Sequence, residues 1–393
     1  MDKNLYIFTT SFPFGAGEQY IENELPFLMD KFDTVYVVPS SIDGEARELL
    51  QGVKLLDLHS KVNWALFNKF NYAIKALFLG GKGNEYLSNR ISFSNNFKTA
   101  YNAIAYKIAL KRIIDQEKDQ SAVFYSYWFY HWAFVLAILK KENKDLKCVS
   151  RAHMGDIYDE IKQTPFKGFK LRNLSEIYPI SSHAKQYLQK YDSSFSSSLN
   201  VQYLGVKSLG LNPPRNIEKS YTIVTCSSIR KEKRIDFIAR VIKECKSTIN
   251  WVHFGDGPEK ELVKGIITQF PTQIKAELKG FVKNQEVLEY YLSNNIDLFI
   301  NLSSQEGLPV SLMEAIGFGI PVMGTNVYGT PEIVSEETGV LIELEESEVS
   351  IARKIDGFLS EFSAESEKIK QIWDNKFNAD KNYRTFTERL CKL

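Results

Sequence analysis

The sequence predicts an α/β protein of two doubly wound domains that face each other across a cleft. Three observations indicate this fold class. Short β-rich runs alternate with helical patterns, the alternation restarts after a polar stretch at 208–220, and 393 residues are enough for two to three domains. A composition of 44% hydrophobic and 25% charged residues is typical of a globular protein with a large core.

Residues 1–205 are expected to form the first domain. Its strand-like runs are LYIFTT (5–10), TVYVVP (34–39), AVFYSYW (122–128), KCVSRAH (147–153) and EIYPIS (176–181). Most of these runs are bounded by turn residues or charged helical stretches, which is the pattern of parallel βαβ units.

Residues 206–375 are expected to form the second domain. Its strand-like runs are YTIVTCSS (221–228), INWVHFGDG (249–257), KAELKGFV (275–282), IDLFINLS (296–303), IPVMGT (320–325) and GVLIE (339–343). The final helical stretch carries the aromatic residues Trp373, Phe377, Tyr383 and Phe386. We therefore expect 376–393 to form a helix that packs back toward the first domain.

Several classes of protein are disfavoured by composition. The four cysteines form no Cys-x-x-Cys pair, which favours a reducing cytoplasm and argues against a sulfur-based metal site. The N-terminal stretch breaks at Pro13, so we expect no signal peptide. The longest apolar run, around Trp132–Leu139, is far shorter than the ~20 residues of a membrane span. We expect a cytoplasmic protein that is not integral to a membrane.

One segment is strongly basic. Residues 54–112 hold 10 Lys and Arg against Asp57 and Glu85, a net charge of +8 in a chain of net charge +1. Within it, 62–82 has apolar residues at helical spacing: Trp64, Phe67, Phe70, Ile74, Leu77 and Phe78, with Lys69, Lys75 and Lys82 between or beyond them. Either this helix contacts an anionic membrane surface, or it packs on the first sheet with its lysines in water.

Ligands of doubly wound sheets bind at the carboxyl ends of strands, so residues just after strands are the candidates for a site. After the first strand, Gly15 and Gly17 leave the backbone open to a ligand, and a helix starting near Glu18 offers unpaired N–H groups. An ordinary turn, with Glu18 on a solvated face, explains this loop equally well. We keep both interpretations.

Two loops of the second domain are further candidates. CSSIRKEKRID places Lys233 near a strand end, where a phosphate favours a point charge, although a solvated charge cluster is the common interpretation. KGFVKNQEV offers backbone groups around Phe281 and Val282 that suit a base held edge-on, and an ordinary loop explains it equally well.

The most informative stretch is QEGLPVSLMEA, which follows the strand-like run IDLFINLS. Glu306 lies on the loop and Glu314 lies about one and a half turns inside the following helix, so the two carboxylates can contact different parts of one elongated ligand. Carboxylates accept hydrogen bonds from paired hydroxyls, as in ribose or a sugar ring. Capping by Ser303 or Ser304 explains the loop but not a glutamate in the apolar LMEAIGFG face.

The start of that helix is a candidate anion site. Pro309 suits the first helical turn, so the N–H groups of Gly307, Leu308 and Val310 can bind an anion with the help of the helix dipole. A histidine after a strand, His153, is also a candidate. A lone histidine is more often a core residue, but the RAH-x-x-D pattern favours a position at the cleft.

These motifs resemble a known family. EGLPVSLMEA resembles the Glu-x7-Glu motif of the retaining glycosyltransferases of family 4, which have the GT-B fold, and the similarity extends through AIGFGIPVMGTNVYGTPEIV. YLGV, CSSIRKEKRID, WVHFGDGPE and LKGFVKNQEVLEYY resemble the family's other landmarks, so the resemblance covers essentially the whole second domain. FPFGAGEQYIENELPFL and SRAHMGDIYDE resemble its glycine loop and histidine segment.

The resemblance implies two Rossmann-like domains and a role for each candidate. It implies that Glu314 binds the ribose of a nucleotide sugar, that Glu306 approaches the hydroxyls of the donor sugar, and that Lys233 neutralises the diphosphate. It also implies that His153 lies beside the donor sugar. Glu306, His153 and Lys233 are thus the predicted catalytic residues. The predicted donor-binding residues are Gly15, Gly17, Ser228, Arg230, Val282, Gly307, Leu308, Val310 and Glu314.

One position departs from the family. An arginine usually lies five positions before the lysine, and here that position is Ser228, with Arg230 and Arg234 as potential substitutes. No Asp-x-Asp sequence follows a strand, so we expect no metal and no cofactor beyond the UDP- or GDP-linked sugar.

The expected function is transfer of a sugar from a nucleotide diphosphate sugar to a hydroxyl of a saccharide or lipid-linked saccharide, as in bacterial polysaccharide biosynthesis. Retention at the anomeric carbon is implied by the resemblance alone. We expect no nucleic acid partner, and contact with an anionic membrane at the inner face of the cell membrane remains one interpretation of 54–112. Two alternatives stay open, a nucleotide-sugar epimerase of the same fold and a non-catalytic nucleotide-sugar-binding partner of another enzyme.

Overall fold

The structure is a computed structural model that describes residues 3–15, 18, 20–79, 93–117, 121–191, 198–214, 220–361 and 365–393. The chain divides into two compact units. The first unit comprises Met1–Gln202 together with Tyr383–Leu393, and the second comprises Tyr203–Asn382. Each unit contains one six-stranded parallel sheet.

The first unit has a sheet in the order β3-β2-β1-β4-β5-β6. Its strands are β1 (Asn4–Thr9), β2 (Thr34–Pro39), β3 (Val53–Leu55), β4 (Val123–Ser126), β5 (Lys147–Ala152) and β6 (Glu176–Pro179). Its helices are α1 (Ile21–Met29), α2 (Leu66–Leu79), α3 (Phe93–Glu117), α4 (His131–Glu142), α5 (Met154–Ile157), α6 (Lys167–Asn173) and α7 (Ser182–Tyr191). Since β1 lies between β2 and β4, the direction of strand succession reverses there, and this pair forms the switch point of the sheet.

The second unit has a sheet in the order β12-β11-β10-β7-β8-β9. Its strands are β7 (Tyr221–Cys226), β8 (Ile249–Phe254), β9 (Ile274–Gly280), β10 (Leu298–Asn301), β11 (Val322–Thr325) and β12 (Gly339–Ile342). The helices that follow are α8 (Ile235–Lys243), α9 (Lys260–Ile267), α10 (Asn284–Ser293), α11 (Val310–Gly317), α12 (Glu348–Glu361), α13 (Ser366–Lys376) and α14 (Ala379–Cys391). The switch point of this sheet lies between β7 and β10.

Central strands of both sheets are buried on both faces, because a parallel sheet is covered by helices on each side. This burial explains the nearly continuous apolar runs, such as the fully buried LFIN of β10. Residues Tyr383–Leu393 belong to the first unit, where Phe386 and Leu390 lie in the core of its sheet.

The predicted α/β class with two doubly wound domains is confirmed by these two sheets. All eleven predicted strands occur, and the structure adds β3. β3 is a three-residue edge strand with Lys54 and Leu55 exposed, so it has no apolar run by which the sequence could reveal it. No helix in the described part of the chain is long and apolar enough to cross a membrane.

Candidate functional site

Two loops of the second unit meet at the switch point between β7 and β10. Lys233 ends a 3-10 turn after β7, and Glu306 lies in the loop after β10. Lys233 Nζ lies 2.5 Å from Glu306 Oε1, and the Ser304 N–H donates to the Glu232 carbonyl over 2.9 Å. The strand-end reasoning thus located two residues that the fold brings into direct contact.

The Lys233–Glu306 ion pair is largely removed from solvent. The Lys233 side chain is 25% exposed and the Glu306 side chain is 11% exposed. The Asn301 amide donates to the same Glu306 oxygen over 3.1 Å, whereas Glu306 Oε2 has no partner among the described residues. Asn301 was not identified from the sequence, although a buried asparagine at the end of an apolar strand is a signal that could have revealed it.

Backbone N–H groups without acceptors surround the start of α11. Pro309 is the N-cap of this helix, one position before the first turn that the sequence suggested for it. Within the described ranges, the N–H groups of Gly307, Leu308 and Val310 have no hydrogen-bond acceptor. Such a group of donors at a helix N-terminus favours the binding of an anion.

Glu314 lies in the second turn of α11 and is 7% exposed. The Asn284 amide, at the first residue of α10, donates to Glu314 Oε1 over 2.9 Å. Burial raises the pKa of Glu314 to about 7, and the hydrogen bond from Asn284 opposes this rise. No motif in the sequence pointed to Asn284, because its role depends on a contact with a helix 30 positions further along the chain.

The loop after β7 is fixed by two glycines of the loop after β8. A Cβ on Gly255 would lie 1.8 Å from the Ser227 carbonyl oxygen, and one on Gly257 would lie 2.3 Å from the Ile229 carbonyl oxygen. Gly255 also has φ +140, which side chains with a Cβ rarely adopt. These glycines let the two loops pack closely, and they thereby position Ser228, which is half-buried.

The two arginines suggested as substitutes at this loop differ in their surroundings. Arg230 is exposed and has no hydrogen-bond or ionic partner in the described part of the chain. Arg234 donates from Nη1 to the Leu302 and Leu344 carbonyls, both over 3.4 Å, and its guanidinium lies 4.0 Å from the ring centroid of Phe237. Arg230 is therefore available to a ligand, whereas Arg234 connects parts of the second unit.

The β9–α10 loop carries Val282, which is half-buried, beside Phe281, which is 85% exposed. Gly280 precedes them with φ +71 and accepts a hydrogen bond from the Gly255 N–H over 2.9 Å. This loop therefore lies next to the β8 loop and leads directly into α10.

In the first unit, the glycine loop is organised by a carboxylate. Glu18 has φ +58, and its oxygens accept from the N–H groups of Thr10, Ser11 and Phe12 over 2.7–2.8 Å and from Trp128 Nε1 over 2.5 Å. The sequence suggested a helix start near Glu18 or a solvated glutamate, and both suggestions are wrong because α1 begins at Ile21.

Of the two glycines predicted there, only one lies in the described part of the chain. Gly15 has φ +66, its N–H donates to the Glu45 carbonyl over 3.2 Å, and a Cβ added to it would meet no atom within 4 Å. Gly17 lies outside the described residues.

His153 follows β5 and is 7% exposed. Its N–H donates to Asp156 Oδ1 over 2.6 Å, its Nε2 lies 3.1 Å from the Tyr127 carbonyl oxygen, and its ring centroid lies 4.4 Å from that of Trp128. Burial, with a smaller contribution from the charge of Arg151, lowers the pKa of His153 to about 3, so this imidazole is neutral near pH 7.

Arg151, which the sequence grouped with His153, lies in the core of the first unit. It is fully buried, and its Nη2 lies 2.9 Å from Glu24 Oε2 in α1. Its Nε donates to the Tyr125 hydroxyl over 2.9 Å, and its guanidinium lies 4.4 Å from the ring centroid of Phe386. The residue therefore connects α1, β4 and the C-terminal segment.

Comparison with known proteins places this geometry in context. Residues 212–373 match the family described as Glycosyl transferases group 1. The GtfA component of the UDP-N-acetylglucosamine–peptide N-acetylglucosaminyltransferase of Streptococcus pneumoniae is 30% identical over 129 residues, which are 32% of this chain and 25% of that protein. Of the human phosphatidylinositol N-acetylglucosaminyltransferase, one component is 25% identical over 166 residues, 40% of this chain and 34% of that protein. WcaL of Escherichia coli, named for colanic acid biosynthesis, is 26% identical over 160 residues, 39% of each chain. This chain therefore spans about a quarter to two-fifths of the length of these relatives.

Solved structures match over the whole chain. The lipopolysaccharide outer core galactosyltransferase WaaB, in its apo form, superposes with a TM-score of 0.74 at 15% identity and covers 100% of both chains. HepE of Anabaena, in complex with UDP and glucose, has a TM-score of 0.67 at 14% identity, also over 100% of both chains. Together with the two six-stranded parallel sheets, these matches confirm the predicted GT-B fold.

Proposed function

We propose, because residues 212–373 belong to the glycosyl transferases group 1 family, that this chain transfers a sugar from a nucleoside diphosphate sugar to a hydroxyl of a saccharide or lipid-linked saccharide. One observation supports this function above all. A Lys–Glu ion pair lies at the switch point of the second sheet, beside free N–H groups at a helix start. UDP is the first nucleotide to test because it occurs in the names of matched proteins, and GDP is the second.

The diphosphate is proposed to bind to Lys233 and to the N–H groups of Gly307, Leu308 and Val310. The positive end of the α11 dipole strengthens this binding. Because Lys233 is paired with Glu306 in this structure, the diphosphate competes with Glu306 for the ammonium. This exchange leaves the Glu306 carboxylate free to accept hydrogen bonds from the donor sugar hydroxyls.

Ribose is proposed to bind Glu314. The Asn284 amide occupies Oε1, so Oε2 remains for the ribose hydroxyls. Val282 is proposed to lie beside the base, where exposed backbone groups of its loop are available.

Arg230 is proposed to supply the charge that Ser228 lacks. The absence of a partner for Arg230 within the described residues supports this assignment, and the contacts of Arg234 with two carbonyls and Phe237 argue against the alternative. Ser228 keeps a hydroxyl that can donate to a phosphate oxygen.

In the proposed reaction, the acceptor oxygen forms a bond to the anomeric carbon as the bond from that carbon to the diphosphate oxygen breaks. The acceptor proton passes to the leaving diphosphate, whose charge is stabilised by Lys233 and the backbone N–H groups without a metal. Attack on the face of the departing group gives retention and needs no protein nucleophile. In the first unit, we propose that the neutral His153 and the open backbone of Gly15 act toward the donor sugar.

Peripheral membrane contact is a further part of the proposal, and it concerns α2. Phe70 and Ile74 lie one helical turn apart and are 66% and 37% exposed, and Lys69 and Lys75 beside them are exposed as well. Tyr72 and Ala76 are buried, so this helix has one packed face and one face with apolar and basic residues in solvent. Such a face suits the headgroup region of an anionic bilayer. Lys82 lies outside the described residues.

Incubation with UDP- and GDP-linked sugars tests the function and separates it from its alternatives. A transferase releases nucleoside diphosphate only when a hydroxyl acceptor is added, apart from slow hydrolysis. An epimerase changes the sugar without an acceptor, and a non-catalytic binding protein shows saturable affinity without turnover. Either of the last two results would contradict the proposed transfer.

A further inference from the structure

A cavity of about 350 Å³ lies in the first unit at the switch point between β1 and β4. Its walls come from the carboxyl ends of β1, β2 and β4 and from α3 and the start of α4. The volume lies within the range of about 300–1,000 Å³ found for small-molecule sites. Ligands of doubly wound sheets bind at switch points, and the donor site proposed above uses only the switch point of the second unit.

The walls of this cavity are aromatic and uncharged. Four large rings contribute to it, from Tyr106, Trp128, Tyr130 and Trp132. Among the described residues, no Asp, Glu, Lys or Arg lines the cavity. A site of this composition suits a ligand with apolar C–H faces and neutral hydroxyls, and it offers no counter-ion to a phosphate, a carboxylate or an ammonium.

Several polar groups of the cavity have no protein partner. His131 Nε2 is buried and unpaired, and within the described ranges neither the Asn102 amide nor the Thr10 hydroxyl has a hydrogen-bond partner. By contrast, the Tyr106 hydroxyl lies 2.7 Å from His59 Nδ1, and Trp132 Nε1 donates to the Thr9 carbonyl over 3.0 Å. Because buried polar atoms are nearly always paired, an unpaired imidazole nitrogen in the wall of a cavity indicates a ligand that pairs with it.

The imidazole of His131 is suited to a neutral partner. Burial, together with the charge of Lys170, lowers its pKa to about 4, so the ring is uncharged near pH 7. A neutral imidazole has one donor and one acceptor nitrogen, which matches the capacity of a sugar hydroxyl to accept and donate.

We propose that this cavity binds an uncharged sugar ring of the acceptor, with the C–H faces against the aromatic rings and a ring hydroxyl hydrogen-bonded to His131. The inference rests on the proposed transferase function and specifies its acceptor, which is a neutral saccharide and not a peptide hydroxyl or an acidic sugar. His131 is accordingly a specificity-determining residue.

Saturation-transfer NMR and calorimetry on the full chain test this inference without turnover. The probes are methyl glycosides of glucose, galactose, mannose and N-acetylglucosamine, with methyl glucuronide and a serine-containing peptide for comparison. We expect at least one neutral glycoside to bind and the charged and peptide probes not to bind. His131→Phe should weaken this binding roughly tenfold because the hydroxyl loses its partner, whereas His131→Gln should stay near the parent.

Nucleoside diphosphate affinity and thermal unfolding, measured on the same samples, keep the two proposals apart. Normal nucleotide binding in both variants shows that the second unit is intact, and Asn102→Ala provides a second probe of the cavity if His131→Phe fails to fold. Failure of the parent to bind any nucleotide or to transfer sugar would contradict the proposed function. Normal nucleotide binding with no saturation transfer to any neutral glycoside would overturn the cavity assignment, as would unchanged glycoside affinity in both His131→Phe and Asn102→Ala.

Discussion

Replacing Glu314 by Gln should stabilise the ligand-free protein and weaken nucleotide binding. Burial raises the pKa of this carboxyl from its ordinary value of 4.5 to about 7. Between these two values the folded protein holds a proton that the unfolded chain has lost, so stability falls as the pH rises through this window. A shift of this size, at about 1.4 kcal/mol for each pKa unit, corresponds to roughly 3 kcal/mol above pH 7. Glutamine keeps the oxygen that accepts from Asn284 and removes the buried charge.

The same substitution should cost nucleotide affinity. A carboxylate that accepts from ribose hydroxyls makes charge-assisted bonds of about 1.5–3 kcal/mol, so the dissociation constant should rise roughly 10- to 100-fold. In the parent protein, affinity should also rise with pH as Glu314 ionises, and Glu314→Gln should remove this dependence.

Urea unfolding of parent and variant at pH 5 and pH 8, with calorimetry of UDP and GDP at both values, measures the two effects. The difference between parent and variant isolates Glu314 from other titrating groups. Asn284→Ala is the matched control, because it keeps the carboxyl and removes the side-chain donor that opposes the effect of burial, so that the pKa of Glu314 rises further and affinity falls at pH 7. Equal stabilities at pH 8 would refute the burial argument, and equal dissociation constants would remove Glu314 from the nucleotide site.

Three further predictions concern other parts of the chain. Arg230→Ala should weaken nucleoside diphosphate binding in calorimetry with little loss of stability, whereas Arg234→Ala should mainly lower the unfolding temperature; the reverse result would exclude Arg230 as the substitute. The double variant Lys69→Glu/Lys75→Glu should weaken co-sedimentation with anionic vesicles at low salt, since each nearby lysine contributes about 1 kcal/mol, and an absence of parent binding to such vesicles would contradict the membrane contact. Gly255→Ala should lower both stability and nucleotide affinity, because its Cβ would lie 1.8 Å from a carbonyl oxygen of the β7 loop. Normal values for both would show that the two loops need not pack so closely.

The fold could be predicted because the strands of parallel sheets carry their signal locally. β10 and its neighbours are apolar throughout since helices cover both faces, and the rule for strand ends then placed Lys233 and Glu306 near each other. β3 has no such signal, because two of its three residues are exposed.

The contacts that complete the site could not be predicted, because each joins distant parts of the chain. Glu18 holds the glycine loop through Trp128, 110 positions away, and Asn284 contacts a helix 30 positions further on. Arg151 was grouped with His153 because they are close in sequence, but its buried partner Glu24 is 127 positions away. The aromatic cavity likewise forms only when α3 packs beside the ends of β1 and β4.

The most direct test of the proposed transferase is a comparison of the parent with Glu306→Ala in one mass-spectrometric assay of nucleoside diphosphate release and glycoside formation. The account predicts that the parent forms product only with donor and hydroxyl acceptor together, and that the variant forms none. It also predicts that the variant binds nucleoside diphosphate at least as tightly as the parent, because Lys233 loses the carboxylate with which it is paired at 2.5 Å. Product formation by Glu306→Ala at the parental rate, or a parent that binds nucleotide sugar and never transfers it, would contradict the account.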